Sequence, residues 1–198
     1  MDISFQTSAG DGSWSLEECA RWAQENDFDC IRLADNGVLN SDRILETGPD
    51  EVNTILASHS LYLACISSHC NLLDDDADIR QAEQTRLIKA IKSSSLLECP
   101  VVITGSGAPV KNGRFYGTYS SMPGNPDDRS DELIERFRQM FSPVVEVAEE
   151  MKVKIALDVA VRMGNIGCNP EMWEKILDAV PSDYLGLSCD PSHWLWMM

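Results

Sequence analysis

Short apolar runs alternate with amphipathic segments along the whole chain, and this pattern predicts alternating strands and helices. The segments between the apolar runs repeat their apolar positions every three or four residues, which is the helical spacing. The pattern predicts six strands separated by five helices. The predicted strands are 2–7, 30–34, 61–67, 100–104, 153–159 and 184–189.

Residues at the predicted helix ends agree with this division. Ser15 and Glu18 form the pattern of a capping box, so the first helix is expected to begin there and to run to about Asn26. Pro143 lies inside the fourth helix and predicts a kink. The other helices are predicted over 50–59 and 78–98, after a cap at Ser130, and from Asn169-Pro170 to about Val180, with a long polar loop over 105–129.

Two architectures fit six strands that are apolar throughout, because such strands are typical of parallel sheets covered on both faces. One is an open doubly wound sheet and the other is a closed (β/α) barrel. A barrel of eight units would need about 270 residues at this spacing. The 198 residues would then supply about six of the eight units, as one domain over 1–198 without a break in composition.

Composition excludes some classes of partner. The formal net charge is −16, and no run of Lys and Arg forms a basic face, so we expect no nucleic-acid binding. No apolar stretch is long enough to span a membrane. The seven cysteines are scattered without a C-x-x-C motif, and the N-terminus lacks the pattern of a signal peptide. These features predict free thiols and a cytoplasmic protein.

Polar residues at the carboxyl ends of the strands are the candidates for a site, because both architectures bind ligands there. Asp158 lies in the fifth strand, where an unpartnered carboxylate would be costly to bury. Asp190 and His193 follow the sixth strand, and His69 follows the third. Carboxylate and imidazole groups around one rim suit a divalent cation. The substrate-binding candidates are Asn36, Asn71, Thr104 and Arg162.

The stretch Gly105-Ser106-Gly107 follows the fourth strand and has two interpretations. Its backbone N–H groups could bind an anion, or the glycines could serve a turn. A single G-x-G is a weak signal, and both interpretations stay open at this point.

Asp190-Pro191-Ser192-His193, preceded by YLGLSC, resembles the xylose-isomerase-like barrel superfamily. That superfamily includes sugar phosphate isomerases and epimerases and, more distantly, the apurinic endonucleases. SPVVEVAEEMKVKIALD is similar to its fourth helix and fifth strand, and the similarity extends over nearly the whole chain. The stretches IRQAEQTRLIKAIKSSSLLECPVVITGSG and NPDDRSDELIERF add to it at the level of pattern.

The resemblance implies roles for particular residues. Asp190 would be a metal ligand, and His193 would be a second ligand or a substrate contact. Asp158 stands where the superfamily usually has a Glu ligand, and His69 matches a position that some members use for substrate or metal. The superfamily also has a His on strand seven and a Glu on strand eight, whereas this chain ends at Met198 after six strands.

We therefore expect a divalent-metal-dependent isomerase or epimerase of a small sugar or sugar phosphate, with Mn²⁺, Mg²⁺, Co²⁺ or Zn²⁺ as cofactor. Asp158, Asp190 and His193 would hold the metal, and Asp158, His193 and His69 would take part in catalysis. A non-catalytic barrel remnant that binds a ligand or a partner chain is the first alternative, and an apurinic-endonuclease-like hydrolase is the second. Two missing units would leave strand edges open, which favours a homo-oligomer.

Overall fold

The computed structural model describes residues 2–7, 13–35, 38–111, 114–115, 129–159 and 165–191. Within these residues six strands join one sheet in the order in which they follow one another along the chain. A doubly wound sheet would reverse its strand order about a switch point. The observed order has no reversal, so the strands belong to a partial (β/α) barrel, as the sequence predicted.

The bounds of the six strands of the large sheet lie within two residues of the predicted ones. In chain order the strands are β1 Ser4–Gln6, β2 Cys30–Ala34, β3 Tyr62–Ser67, β4 Val101–Gly105, β5 Val110–Lys111, β6 Arg114–Phe115, β7 Lys154–Asp158 and β8 Leu185–Ser188. The large sheet has the order β1-β2-β3-β4-β7-β8.

The strands β5 and β6 were not predicted. They pair in an antiparallel manner within the segment that the sequence predicted to be a loop. Strands of two residues are too short to show an alternation of polar and apolar positions, which is why the sequence pattern missed them.

The described residues include six helices between the strands of the large sheet, two of them between β2 and β3. They are α1 Leu16–Glu25, α2 Ser41–Thr47, α3 Asp50–Ser58, α4 Ala77–Leu96, α5 Ser130–Met151 and α6 Pro170–Ala179. The helix α2 was not predicted. It begins with a cap in which the Asn40 side chain accepts the Arg43 N–H, and its only buried apolar side chain is Ile44. One apolar position is too few to reveal a helical period.

Predicted start signals are found at two helices. The Ser15 hydroxyl accepts the Glu18 N–H while the Glu18 carboxylate accepts the Ser15 N–H, which completes the capping box of α1. Asn169 caps α6 by accepting the Met172 N–H, with Pro170 as the first helical residue. The helix α5 begins at Ser130 itself, one residue earlier than a cap at Ser130 predicted, and continues through Pro143.

The chain divides into two compact units. The first unit comprises residues 1–68, 89–102 and 151–153. In it the Phe5 ring of β1 packs against Trp22 of α1 with ring centroids 4.8 Å apart, and Phe5 pairs in register with Ile31 of β2. The helix α1 therefore covers the face of β1 and β2 that carries Phe5 and Ile31.

The second unit comprises residues 69–88, 103–150 and 154–198. Its core includes Phe137 and Phe141 of α5, which stack with centroids 4.1 Å apart and are both fully buried. No helix in the described part of the chain is long and apolar enough to cross a membrane. All seven cysteines are free thiols, and Cys189 alone is exposed.

Replacing Phe137 with Ala should lower the free energy of unfolding by about 3–5 kcal/mol, because it removes a fully buried ring and leaves a cavity. Urea unfolding followed by circular dichroism measures the loss. Glu146→Ala on the exposed side of the same helix is the control and should change stability by less than about 0.5 kcal/mol. Equal losses in the two variants would contradict the packing described for α5.

Candidate functional site

Two of the predicted metal ligands lie at the carboxyl ends of neighbouring strands. Asp158 is the last residue of β7 and pairs in register with Ser188, the last residue of β8. Asp190 follows Ser188 by two residues. Parallel strands end at the same edge of a sheet, so the chain brings both carboxylates to one edge.

Burial along β7 shows which way Asp158 faces. Ile155 and Leu157 are buried, whereas Ala156 and Asp158 are half-buried. Because side chains alternate along a strand, Asp158 lies on the face opposite to Ile155 and Leu157. Asp190 is half-buried as well, so both carboxylates lie partly within reach of solvent.

The structure leaves part of the predicted ligand set undescribed. His193, Arg162 and Asn36 lie outside the described residues. Among the residues that are described, no group of three or more His, Cys, Asp and Glu side chains is arranged to hold a metal ion. The roles predicted for His193, Arg162 and Asn36 stay predictions.

The segment after β3 carries His69 and Asn71 and is held by two charged residues of α4. His69 is exposed, and its main-chain oxygen accepts a hydrogen bond from Arg86 Nη2 at 2.6 Å. The Glu83 carboxylate accepts the Asn71 N–H at 2.9 Å and pairs with Arg86 at 2.8 Å. These bonds fix the main chain on both sides of Cys70, and they therefore fix the position of the His69 main chain just after β3.

The pKa of Glu83 reflects two opposing effects. Partial burial raises it, whereas hydrogen bonds from Arg86 and from the Asn71 N–H lower it, and the result is a pKa below the usual value. The carboxylate is therefore charged at neutral pH and keeps its bonds to this segment.

Two predicted substrate-binding residues hold loops together. Asn71 Oδ1 accepts the Ala108 N–H, and Asn71 Nδ2 donates to the Ala108 carbonyl, both at 2.9 Å. The fully buried Thr104 hydroxyl accepts the Cys70 N–H at 3.2 Å. These bonds join the segment that follows β3 to β4 itself and to the segment that follows β4. A contact of Asn71 or Thr104 with a sugar stays a prediction.

The turn Gly105–Gly107 is held by Asn165, a residue that the sequence analysis missed. Asn165 Oδ1 accepts the Gly107 N–H at 3.1 Å, and the Ser106 hydroxyl accepts the Gly167 N–H at 2.9 Å. Asn165 is 8% exposed. Its partner lies 58 residues away in sequence, so no local pattern could have revealed it.

Of the two interpretations of Gly105-Ser106-Gly107, these bonds support the turn. The N–H of Gly107 donates to Asn165 and the N–H of Ala108 donates to Asn71, so both are used within the protein. The glycines also leave room for these amides. A Cβ atom on Gly105 would lie 2.8 Å from Asn165 Oδ1, and one on Gly107 would lie 3.0 Å from Asn71 Oδ1.

With the fold and these strand ends established, comparison with known proteins identifies the family. The family model described as xylose isomerase-like TIM barrel matches residues 20–198. The chain belongs to this family. No curated protein matches the sequence.

Several solved structures with the same fold are named as isomerases or epimerases of sugars. D-psicose 3-epimerase from Clostridium cellulolyticum H10 with D-tagatose has a TM-score of 0.71 at 15% identity, covering 98% of this chain and 65% of that one. A putative xylose isomerase from Rhodospirillum rubrum has a TM-score of 0.73 at 12% identity, covering 98% and 67%.

A third structure is 3-keto-D-glucoside 4-epimerase from E. coli, with a TM-score of 0.70 at 12% identity, covering 94% of this chain and 68% of that one. The chain thus spans about two thirds of the length of the structures it resembles. Likeness at these identities establishes the fold.

Gly105→Ala and Asn165→Ala should each lower the free energy of unfolding, but the two losses should not be additive. Gly105→Ala forces a Cβ against Asn165 Oδ1, at a cost of about 1–3 kcal/mol. Asn165→Ala leaves the buried Gly107 N–H without its acceptor, at a similar cost. The double variant should lose less than the sum, because removing the amide removes the clash.

Urea unfolding of the three variants measures this coupling. Gly186→Ala is the matched control, since a Cβ there would meet no atom within 4 Å. Strictly additive losses for Gly105→Ala and Asn165→Ala would contradict the contact between this turn and Asn165.

Glu83→Gln should lower stability at pH 7 by about 1 kcal/mol, because it removes a partly exposed ion pair with Arg86. The folded-state pKa of Glu83 lies below the unfolded value of about 4.3, so its contribution is present above that pH. The difference in unfolding free energy between Glu83→Gln and the wild type should therefore shrink as the pH falls through the folded-state pKa of Glu83.

Unfolding free energies measured between pH 7 and pH 3 test the sign of this effect. Glu150→Gln, an exposed position on α5, serves as control and should follow the wild type at every pH. A Glu83→Gln difference that grew on acidification would show that the carboxylate is not held in its charged form.

Proposed function

We propose that this chain carries six units of a divalent-metal-dependent isomerase or epimerase that acts on a small sugar or sugar phosphate. The observation that carries the proposal is the position of Asp158 and Asp190 at the carboxyl ends of neighbouring strands, in a family whose structural relatives include epimerases of sugars.

The chemistry of the donor groups fits a divalent ion. Asp158 and Asp190 offer hard carboxylate oxygens on adjacent strand ends, and His193 would add an imidazole nitrogen. This set suits Mn²⁺, Mg²⁺, Co²⁺ or Zn²⁺. When bound, such an ion polarises a carbonyl and a neighbouring hydroxyl of a sugar.

The other residues of the chain would bind the sugar and move protons. Epimerisation removes a proton from a carbon next to a carbonyl and returns one to the opposite face. His69 and His193 are suited to this exchange, because imidazole changes its charge near neutral pH. Asn36, Asn71, Thr104 and Arg162 are the proposed contacts for the hydroxyl or phosphate groups of the sugar.

A binding protein without catalysis is the second candidate, and Asp158 is the feature that favours it. The resemblance places a Glu at this position, and Asp is shorter by one methylene. A carboxylate on the shorter side chain must draw the ion towards β7 or leave it more weakly held. Metal affinity and turnover, measured on the same sample, separate the two candidates.

Hydrolysis of apurinic DNA has less support than either. The net charge of −16 opposes approach to a phosphate backbone. We propose a reducing, cytoplasmic location in keeping with the free thiols, and a homo-oligomer stays an expectation.

Asp190→Asn should weaken Mn²⁺ binding at least about tenfold and abolish epimerase activity, because the amide keeps the shape of the carboxylate but loses its charge. Isothermal titration calorimetry gives the affinity, and chromatography of a panel of ketoses gives the turnover. Asp183→Asn, an exposed aspartate beside β8, controls for the general loss of negative charge and should bind as the wild type does.

Asp158→Glu restores the longer side chain and should bind Mn²⁺ more tightly than the wild type. An unchanged affinity in both Asp190→Asn and Asp158→Asn would contradict the metal site. Tight binding without turnover of any ketose would favour the binding protein.

A further inference from the structure

Arg32 in the middle of β2 is placed where a (β/α) barrel has its interior. Within the first unit, Arg32 pairs in register with Gln6 of β1 and with Cys65 of β3. The neighbours Ile31 and Leu33 are fully buried and point the other way, towards the face that α1 covers. Arg32 therefore projects from the face that α1 leaves uncovered, and its side chain is half-buried there.

The guanidinium has one hydrogen-bond partner among the described residues. Its Nε–H donates to the Ser67 hydroxyl at 2.7 Å, at the carboxyl end of β3. The bond turns the head group towards the end of the strand at which barrel enzymes bind ligands. It uses only Nε, so the two terminal nitrogens of the guanidinium can donate to a ligand. These are the nitrogens that bind a carboxylate or phosphate in a bidentate manner.

No carboxylate in the described residues pairs with Arg32, although the chain has twice as many acidic as basic residues, 32 against 16. Other arginines have acidic partners, namely Arg43, Arg86, Arg129, Arg136 and Arg138. Asp35, three residues further along, accepts from the N–H and hydroxyl of Ser41 and from the Ser68 hydroxyl instead.

Cys65 does not neutralise Arg32 either. Burial raises the pKa of the Cys65 thiol to about 11, even though the charge of Arg32 lowers it. The thiol is therefore neutral at physiological pH. Arg32 is thus partly desolvated and meets no counter-charge from the described residues, a situation that costs free energy unless an anion is supplied.

We propose that the Arg32 guanidinium and the Ser67 hydroxyl form a binding site for the anionic group, a carboxylate or a phosphate, of a small molecule. The Ser67 oxygen accepts from Arg32, so its own proton is available to a ligand oxygen. Two charge-assisted donors of the guanidinium and one hydroxyl then face the same anion. The observations that support this site do not involve the proposed metal ligands, and anion binding there requires neither metal nor turnover.

Calorimetric titration of the whole chain in metal-free, phosphate-free buffer tests the proposal. The probes are inorganic phosphate, D-fructose 6-phosphate and D-gluconate, with D-fructose as the neutral reference. At least one anionic probe should bind about tenfold or more tightly than D-fructose, as expected for hydrogen bonds to a charged group. A response to the two phosphates identifies a phosphate ligand, and a response to D-gluconate identifies a carboxylate.

Arg32→Met should remove the preference for the anion, and Arg32→Lys should restore part of it because the charge returns without the fork. Arg21→Met, at an exposed position on α1, removes the same charge elsewhere and should bind as the wild type does. Ser67→Ala keeps the guanidinium and should weaken binding several-fold, so the test does not depend on the folding of one variant.

Two results would overturn the site: no anionic probe that binds more tightly than D-fructose, or a preference for anions that survives in both Arg32→Met and Ser67→Ala. Circular dichroism of each variant confirms that the comparison is made on folded protein. Neither result bears on the metal site, because every titration is done without metal.

Discussion

The hydrogen bonds that Asn71 and Asn165 make to the segment after β4 are the constraint on which the candidate rim of the second unit depends. Two amides, one from the segment after β3 and one from the segment after β7, accept the consecutive N–H groups of Gly107 and Ala108. Buried N–H groups without acceptors are costly, so this arrangement specifies one conformation for three loops. Glycine at 105 and 107 is needed because a Cβ would strike the same amides.

Further bonds fix the main chain of the residues that follow β3. Thr104, Glu83 and Arg86 fix the residues that follow β3 through the main chain, and His69 is exposed there. Asn165, which lies a few residues before α6, is likewise bonded to the turn that follows β4. Side chains on such a rim extend from segments whose main chain is already ordered by hydrogen bonds within the protein.

Arg32 differs from most described arginines in its surroundings. Most described arginines form ion pairs at the surface, and such pairs stabilise a protein only slightly. Arg32 differs because it lies on the interior side of a strand with a hydroxyl as its partner. In a chain with a net charge of −16, Arg32 is half-buried and has no acidic partner among the described residues. It is therefore the more informative group about ligands.

The sequence by itself determined the elements whose signals are local. Apolar runs, the capping box at Ser15 and the Asn169-Pro170 start involve neighbours within a turn of helix or a few strand residues, so the six-strand order and most helix bounds could be predicted. The candidate ligands Asp158 and Asp190 could be proposed for the same reason, since they follow apolar runs. Tertiary structure alone decided which polar groups form hydrogen bonds within the protein. The bond of Asn165 to Gly107 spans 58 residues and that of Arg32 to Ser67 spans 35, and such bonds depend on strand register and loop closure, which no local pattern encodes.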